Sequence, residues 1–123
     1  MNLLLDTHVL LWWSGERDLS GEALTEIANP DNVVYVSSAS IWEISIKRAR
    51  GKLRVDDAIF DVGDDGFEPL PITHADARIA GALPDHHRDP FDRMLIAQAL
   101  THGLVLVTRD SRMESYEAPT LPA

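Results

Sequence analysis

The sequence contains no cysteine, so neither a disulfide framework nor a thiolate metal site can form. No apolar run approaches the roughly 20 residues that span a bilayer. An aspartate at position 6 and the lack of a basic residue ahead of the first leucines are unlike a secretory signal peptide. These absences predict a cytoplasmic protein without a membrane segment. A length of 123 residues predicts one domain, 1–123, with one core.

Basic residues are scarce, since 11 of them accompany 20 acidic residues and the formal net charge is −9. This balance taken alone argues against binding of nucleic acid. The distribution weakens that objection, because most basic residues lie near the acidic motifs described below. They are Lys47, Arg48, Arg50, Lys52 and Arg54 in one group, and Arg88, Arg93, Arg109 and Arg112 later in the chain. Solvated helix faces with salt bridges are the alternative explanation for several of them.

Short apolar runs alternate with helical patterns along the chain. The runs at 3–5, 33–36 and 104–107 are candidate strands, with a weaker fourth at 67–70. Runs that are apolar on both faces are typical of parallel strands covered by helices. Helices are predicted at 20–28, from Ser38 or Ser40 to about 49, at 56–61, at 73–82, and from Asp89-Pro90 to near Gly103, with a loop at 62–66. This alternation predicts a three-layer α/β fold with a parallel sheet.

Acidic residues follow the predicted strands. Asp6 comes directly after the first strand, and Asp110 lies three residues past the last. Glu43 lies near the start of the helix that leaves the second strand. Ligands of parallel α/β folds bind beyond the carboxyl ends of the strands. We therefore expect these carboxylates to meet at one edge of the sheet.

Asp92 stands out because it occupies an apolar helix face. It shares the spacing i, i+3, i+4, i+7 with Leu95, Ile96 and Ala99. A carboxylate in an inward stripe is costly unless it is paired or bound to a metal. The alternative is a role in the first turn of the helix, with the free amides and the helix dipole.

Four clustered carboxylates would repel one another unless a cation neutralised them. Oxygen ligands favour a hard ion such as Mg²⁺ or Mn²⁺, which can activate water and stabilise a reacting phosphodiester. One ion and two ions both fit the sequence, and Asp110 can act directly or through water. His8 either reaches the site or serves as a local cap. The other four histidines are interpreted as surface or packing residues.

The helix that carries Glu43 has two apolar flanks. The predicted inward face is Ala39, Trp42, Ile46 and Ala49, with Glu43 at its border. Ile41 and Ile44 lie on a second flank, which contacts either another chain or a neighbouring helix. Trp12 and Trp13 allow the same two interpretations.

Four segments resemble the motifs of PIN domains, in particular those of VapC-type toxins from bacterial toxin–antitoxin pairs. They are Leu-Leu-Asp-Thr-His-Val-Leu-Leu-Trp-Trp at 4–13, Ser-Ser-Ala-Ser-Ile-Trp-Glu-Ile-Ser-Ile-Lys at 37–47, His-Arg-Asp-Pro-Phe-Asp-Arg-Met-Leu-Ile-Ala-Gln-Ala at 87–99, and Leu-Val-Thr-Arg-Asp at 106–110. The second and third segments are long and specific, and the order matches over nearly the whole chain.

The resemblance implies a five-stranded parallel sheet and Mg²⁺- or Mn²⁺-dependent cleavage of RNA. It implies that Asp6, Glu43, Asp92 and the less invariant Asp110 hold the metal. It places hydroxyls near the site at Thr7 and Thr108, and Asp89 serves either as N-cap or as a direct participant. It also implies a homodimer and a cognate VapB-like antitoxin, which we expect to insert a basic side chain among the acids. The candidates for RNA contact are Lys47, Arg50, Arg93 and Arg109.

Three other functions are alternatives to the ribonuclease. A dehalogenase-type phosphatase needs a second aspartate two residues after the first, but position 8 is histidine. A phosphoacceptor receiver needs a late lysine, but the only lysines are Lys47 and Lys52. A non-catalytic module that binds a protein or an ion through its acidic cluster is the remaining alternative.

Overall fold

The computed structural model describes residues 1–15 and 18–123. The strands are β1 (Asn2–Leu5), β2 (Val33–Ser37), β3 (Glu68–Leu70), β4 (Val105–Thr108) and β5 (Thr120–Pro122). The α-helices are α1 (Thr7–Trp13), α2 (Gly21–Ala28), α3 (Ser38–Ala49), α4 (His74–Ala82) and α5 (Pro90–His102). All strand pairs are parallel, in the order β3-β2-β1-β4-β5. The predicted α/β fold with a parallel five-stranded sheet is confirmed.

The central strand β1 is buried on both of its faces. Leu3 and Leu5 pack in a cluster that includes residues of α1 and α2, whereas Leu4 packs in a second cluster with residues of α5. All three leucines are 0% exposed. Helices therefore cover both faces of the sheet, which explains why the sequence shows a continuous apolar run here instead of an alternating pattern.

Two elements were not assigned from the sequence. Helix α1 follows β1 after a single residue, Asp6, whose carboxylate accepts a hydrogen bond from the backbone N–H of His8. Its seven residues are mostly apolar, so they give no amphipathic periodicity to recognise. Strand β5 has three residues and lies at an edge of the sheet, where Pro122 removes no essential ladder bond.

The connection between α3 and β3 is more regular than predicted. The helix predicted at 56–61 is a short 3₁₀ helix, Asp57–Phe60. The segment 62–66, predicted as a loop, contains a second 3₁₀ helix, Val62–Asp65. That helix ends at Gly66, whose φ of 79° lies in the left-handed region that glycine adopts without steric cost.

Helix α3 is rotated relative to the predicted orientation. Trp42, predicted to face inward, is 62% exposed, whereas Ile44, predicted on the outer flank, is 0% exposed. The buried face consists of Ala39, Ser40, Glu43 and Ile44. Thr7 donates a hydrogen bond of 2.9 Å to Ser40, which fixes this face against α1. The N-cap is Ser37, not Ser38 or Ser40.

Of the two interpretations of the second apolar flank, contact with another chain or with a neighbouring helix, the structure favours the second. Ile44 belongs to the core cluster beside β1, and Ile41, Trp12 and Trp13 are partly buried against the same cluster. The exposed aromatic residue of this helix is Trp42, whose ring meets that of Phe91 edge-on at 5.3 Å. Among the described helices, none is long and apolar enough to cross a membrane.

A buried aspartate connects the start of α4 to the last turns of α5. Asp76 is 0% exposed and forms a capping box with Thr73. Gln98 donates to its carboxylate at 3.3 Å, and His102 Nε2 lies 3.1 Å from it. Burial alone would raise the pKa of Asp76, but the hydrogen bonds from Thr73 and Gln98 and the nearby His102 outweigh it and lower that pKa.

Replacing Asp76 with asparagine is expected to lower the free energy of unfolding at pH 7 by about 2 kcal/mol, because charged hydrogen bonds to a buried group are lost. An aspartate whose pKa is lowered by folding contributes its full stability above its unfolded pKa of about 3.9. That contribution disappears as the pH falls through the lower, folded value. Urea unfolding should therefore show a wild-type advantage at pH 7 that shrinks below about pH 4.

The matched control is Asp85→Asn, which removes the same charge from a side chain that is 69% exposed. This variant should unfold within about 0.5 kcal/mol of the wild type at both pH values. Equal stabilities of Asp76→Asn and the wild type at pH 7 would contradict the role assigned to Asp76.

Candidate active site

The acidic site lies at the carboxyl edge of the sheet, where β1 and β4 end. Asp6 follows β1 directly and is 3% exposed. Its backbone N–H donates to Val107 of β4, and Thr108 donates its hydroxyl to Asp6 Oδ2 at 2.8 Å. Burial raises the pKa of Asp6, and Glu43 adds to this, while the bond from Thr108 and the nearby His8 oppose it. The adjacent strands therefore fix one carboxylate in a poorly solvated position.

Asp92 lies in the first turn of α5, with its side chain 13% exposed. The free backbone amides of that turn are occupied by Asp89, which accepts from Phe91 at 2.9 Å and from Asp92 at 3.1 Å. Asp89 thus performs the capping that was the alternative role for Asp92. Burial raises the pKa of Asp92 to about 8, with further contributions from the neighbouring carboxylates Asp6, Asp89, Glu43 and Asp110.

Glu43 is brought to the same edge by the observed rotation of α3. It is 4% exposed, and Lys47 donates to its Oε2 at 2.8 Å from one turn later in the helix. Its other oxygen, Oε1, is buried and has no hydrogen-bond partner among the described residues. A buried carboxylate oxygen without a donor is unfavourable, so contact of Oε1 with a cation or another ligand would stabilise it.

Asp110 is held differently from the other acids, because Arg112 binds both of its oxygens. Arg112 donates to Oδ1 through its backbone N–H and Nε, and to Oδ2 through Nη2 at 3.0 Å. These hydrogen bonds lower the pKa of Asp110 against the opposing effect of burial. Asp110 is therefore less free to bind a cation than Asp92.

The structure adds a residue that the sequence interpretation missed. His87, interpreted as a surface or packing residue, is 4% exposed and lies among the acids. Its Nε2 is 2.8 Å from Asp92 Oδ2 and 3.3 Å from Asp110 Oδ2. The available signal was its position in the third motif, five residues before Asp92. Only the tertiary packing of the segment before α5 turns its side chain inward.

The described residues contain one group of three potential metal ligands whose atoms lie within 4.8 Å of one another: His87, Asp92 and Asp110. Asp6 and Glu43 lie outside that tight group. They remain close enough for their charges to raise the pKa of Asp92. The four predicted acids therefore share one edge and one electrostatic environment, and Asp92 is their common neighbour.

The predicted supporting and basic residues separate into two sets. Thr108 contacts Asp6, whereas Thr7 donates to Ser40 and supports the site only through α3. Lys47 pairs with Glu43, and Arg50 is exposed at the end of α3. These two residues remain predictions for RNA contact.

Arg93 and Arg109 have structural partners, so the structure gives no support to the RNA contacts predicted for them. The guanidinium of Arg93 donates to the carbonyl oxygens of Ala80, Gly81, Leu83, Pro84 and His87. Arg109 donates to the carbonyl oxygens of Asp18 and Ala123, and its guanidinium lies 4.3 Å from the ring centre of Trp12. Both guanidinium groups hold chain segments together because the backbone supplies acceptors that a sequence pattern does not reveal.

A hard divalent cation fits the donor set at this edge. The buried acids offer carboxylate oxygens, which Mg²⁺ and Mn²⁺ prefer. Glu43 Oε1 lacks a donor, and the pKa values of Asp6 and Asp92 are both raised by burial and like charge. A cation would relieve each of these unfavourable features.

A parallel α/β sheet with carboxylates gathered at its carboxyl edge defines a class of α/β proteins whose acidic side chains lie where ligands of such folds bind. The family model of the PIN domain matches residues 3–119 of the sequence. The chain therefore belongs to the PIN domain family, as its motifs predicted.

Individual relatives agree with this assignment. The chain is 30% identical over 121 residues to Ribonuclease VapC22 of Mycobacterium tuberculosis, covering 95% of this chain and 93% of that protein. It resembles VapBC2 from Rickettsia felis, solved bound to a promoter DNA fragment, with a TM-score of 0.75, 14% identity, and coverage of 99% and 98%. For VapBC-5 from Mycobacterium tuberculosis the TM-score is 0.64 at 21% identity, with coverage of 98% and 96%. At these identities the two solved structures establish the fold alone.

Proposed function

We propose that this chain is a Mg²⁺- or Mn²⁺-dependent endoribonuclease and the toxin of a toxin–antitoxin pair. The observation that carries the proposal is the burial of Asp92 among Asp6, Glu43 and Asp110, with its pKa raised to about 8. Such an arrangement is unfavourable without a bound cation. The similarity to Ribonuclease VapC22 over nearly the whole chain supports RNA as the substrate.

Asp6, Glu43 and Asp92 would hold the ion, with Asp110 contributing charge from its pair with Arg112. When bound, the ion would supply positive charge to the reacting phosphodiester and lower the pKa of the attacking water. The protein's own contribution is positioning. Thr108 orients the carboxylate of Asp6. The cap at Asp89 fixes the first turn of α5 and therefore the backbone that carries Asp92.

Substrate binding requires the protein to overcome its own net charge of −9. Lys47 and Arg50 lie in or next to the last turns of α3 and give this side of the site local positive charge. A cation among the carboxylates would reduce the repulsion of phosphates further. We assign Lys47 and Arg50 to RNA binding on this basis.

Cleavage of total RNA by antitoxin-free protein tests the proposal. We expect cleavage with Mg²⁺ or Mn²⁺, none in excess EDTA, and recovery when the metal is restored. The control is the same protein with Ca²⁺, a hard ion that prefers more ligands and a longer bond distance. RNA that stays intact with either metal would reject the ribonuclease and favour the non-catalytic acidic module.

The antitoxin is proposed from charge and from the relatives. Both solved structures described above are named as VapBC assemblies. An acidic chain with buried carboxylates at an edge favours a partner that presents a basic side chain. A structure of the complex should place an arginine or lysine of the antitoxin near Asp6 or Asp92. A complex without any antitoxin residue near those carboxylates would reject this mode of inhibition.

A homodimer is also proposed. The exposed Trp42 and its partner Phe91 give α3 and α5 an aromatic surface next to the acidic edge. Analytical ultracentrifugation of the antitoxin-free protein measures its oligomeric state directly. A monomer at micromolar concentration would reject the dimer.

A further inference from the structure

His87 is the buried side chain at the acidic edge to which neither the sequence nor the proposed function assigns a task. Its Nε2 is buried, lies 2.8 Å and 3.3 Å from oxygens of Asp92 and Asp110, and is aligned for a hydrogen bond with neither oxygen. By spacing alone this nitrogen qualifies as a metal ligand. Whether Nε2 can be a metal ligand or instead carries the ring proton depends on the other ring nitrogen, Nδ1.

The other ring nitrogen, Nδ1, is occupied by the backbone. The N–H of Asp89 donates to Nδ1 at 3.2 Å, and a backbone amide can only donate. Nδ1 must therefore keep its lone pair, which places the ring proton of a neutral imidazole on Nε2. A protonated nitrogen cannot bind a metal ion, but its N–H carries a positive partial charge that attracts carboxylates.

The main chain of His87 is also held from both sides. Its N–H donates to the hydroxyl of Tyr116 at 2.9 Å, and that hydroxyl donates to the carbonyl of Pro84 at 2.6 Å. Its carbonyl accepts from Arg93 at 3.0 Å. These bonds fix the backbone of His87, and the burial of its ring together with the bond at Nδ1 opposes a flip that would exchange its two nitrogens.

We propose that His87 is a positioning residue whose Nε2–H, 2.8 Å from Asp92 Oδ2 and 3.3 Å from Asp110 Oδ2, attracts both oxygens electrostatically, while the metal is left to the other carboxylate oxygens. This inference rests on the proposed function for its role in catalysis. The part of the inference that concerns the tautomer, an Nε2–H form of His87 that persists when metal binds, does not depend on RNA cleavage. Outer groups that orient metal ligands commonly affect affinity or activity by about 10- to 100-fold.

The direct test is a ¹H–¹⁵N spectrum of the full chain with ¹⁵N-labelled histidine. The spectrum correlates ring nitrogens with ring carbon-bound protons, so the two tautomers give different patterns. The signals of His87 are assigned by their absence in the His87→Asn variant. We expect the Nε2–H pattern without metal and the same pattern with saturating Mg²⁺. An Nδ1–H pattern, a doubly protonated ring, or a change of tautomer on adding Mg²⁺ would overturn the proposal.

Two substitutions separate the role of the Nε2–H of His87 from the role of Nδ1 as the acceptor for the N–H of Asp89. In His87→Asn the side-chain oxygen can replace Nδ1 as acceptor for Asp89, but no donor reaches the carboxylates. In His87→Gln the longer amide can place its NH₂ where Nε2 was. We expect His87→Asn to lower kcat by about tenfold or more with a smaller change in KM. His87→Gln should recover a substantial part of that loss.

Equal kcat values for the two variants would reject the donor role, provided that both variants melt cooperatively. A wild-type protein that does not cleave RNA would instead count against the proposed function. The tautomer measurement would still decide the inference in that case, so the two failures are distinguishable.

Discussion

Replacing Asp92 with asparagine is expected to abolish RNA cleavage while making the metal-free protein more stable. Asparagine has the shape of aspartate but supplies no negative charge, so the site loses the carboxylate that neighbours all of its other acids. The activity should fall by about a thousandfold or more, as when a group that acts mainly in the transition state is lost. Full cleavage activity in a folded Asp92→Asn protein would remove Asp92 from the catalytic machinery.

The gain in stability follows from the raised pKa of Asp92. Its value of about 8 in the folded protein lies above the unfolded value of about 3.9. Between these values the folded state holds a proton that the unfolded state has released, so stability falls as the pH rises through this window. Asp92→Asn has no ionisable group at this position, so its stability does not fall with pH for this reason. In EDTA at pH 8 it should melt at least about 4 °C above the wild type, equivalent to about 1 kcal/mol.

Thermal unfolding at several pH values measures this difference. The advantage of Asp92→Asn should be small near pH 4 and should grow up to about pH 8. Asp85→Asn, which removes the same charge from the exposed surface, should show no such trend. Adding Mg²⁺ should raise the melting temperature of the wild type more than that of Asp92→Asn, because the metal stabilises only a site that binds it.

Replacing Arg93 with methionine is expected to cause the largest loss of stability among the substitutions considered, about 3 kcal/mol of unfolding free energy. The guanidinium gathers the carbonyl oxygens of the segment between α4 and α5, and methionine leaves these acceptors without their donor. Lysine should restore little, because one ammonium group cannot reproduce the planar fork of arginine. Urea unfolding at pH 7 measures both variants.

Arg88→Met is the matched control for Arg93→Met. The side chain of Arg88 is 90% exposed, and its guanidinium lies 3.6 Å from an exposed aspartate, Asp85. This control should stay within about 0.5 kcal/mol of the wild type. A stable Arg93→Met protein with weakened RNA binding would restore the RNA contact that the sequence suggested and contradict the structural role.

The sequence predicted most reliably what depends on short-range pattern. The apolar runs and the N-cap and C-cap residues of α5 located that helix and four of the strands, and strand ends located Asp6 and Asp110. The inward stripe of α5 located Asp92 for a physical reason, since a lone acid among apolar neighbours needs a partner. Glu43 was identified mainly by its motif, because the face of α3 was predicted incorrectly.

The features missed by the sequence analysis depend on long-range packing. Trp42 outweighs Ile44 in any count of apolar area, yet contact with β1 and α1 buries Ile44 and leaves Trp42 exposed. The inward orientation of His87 depends on bonds from its backbone to Tyr116 and Arg93. Tyr116 is distant along the chain, and Arg93 looks like an ordinary surface arginine in the sequence. No local pattern indicates where a side chain will meet the backbone carbonyls of another segment.

The bond from Thr108 to Asp6 spans 102 positions of the chain. At synthesis rates of about 5 to 20 residues per second, Thr108 is added roughly 5 to 20 seconds after Asp6. The contacts between β1 and β4 form only after β4 has been synthesised, so a nascent polypeptide assembles its acidic edge long after β1 has been made. A partner that binds the acidic edge therefore finds its complete binding surface only after β4 has joined the sheet.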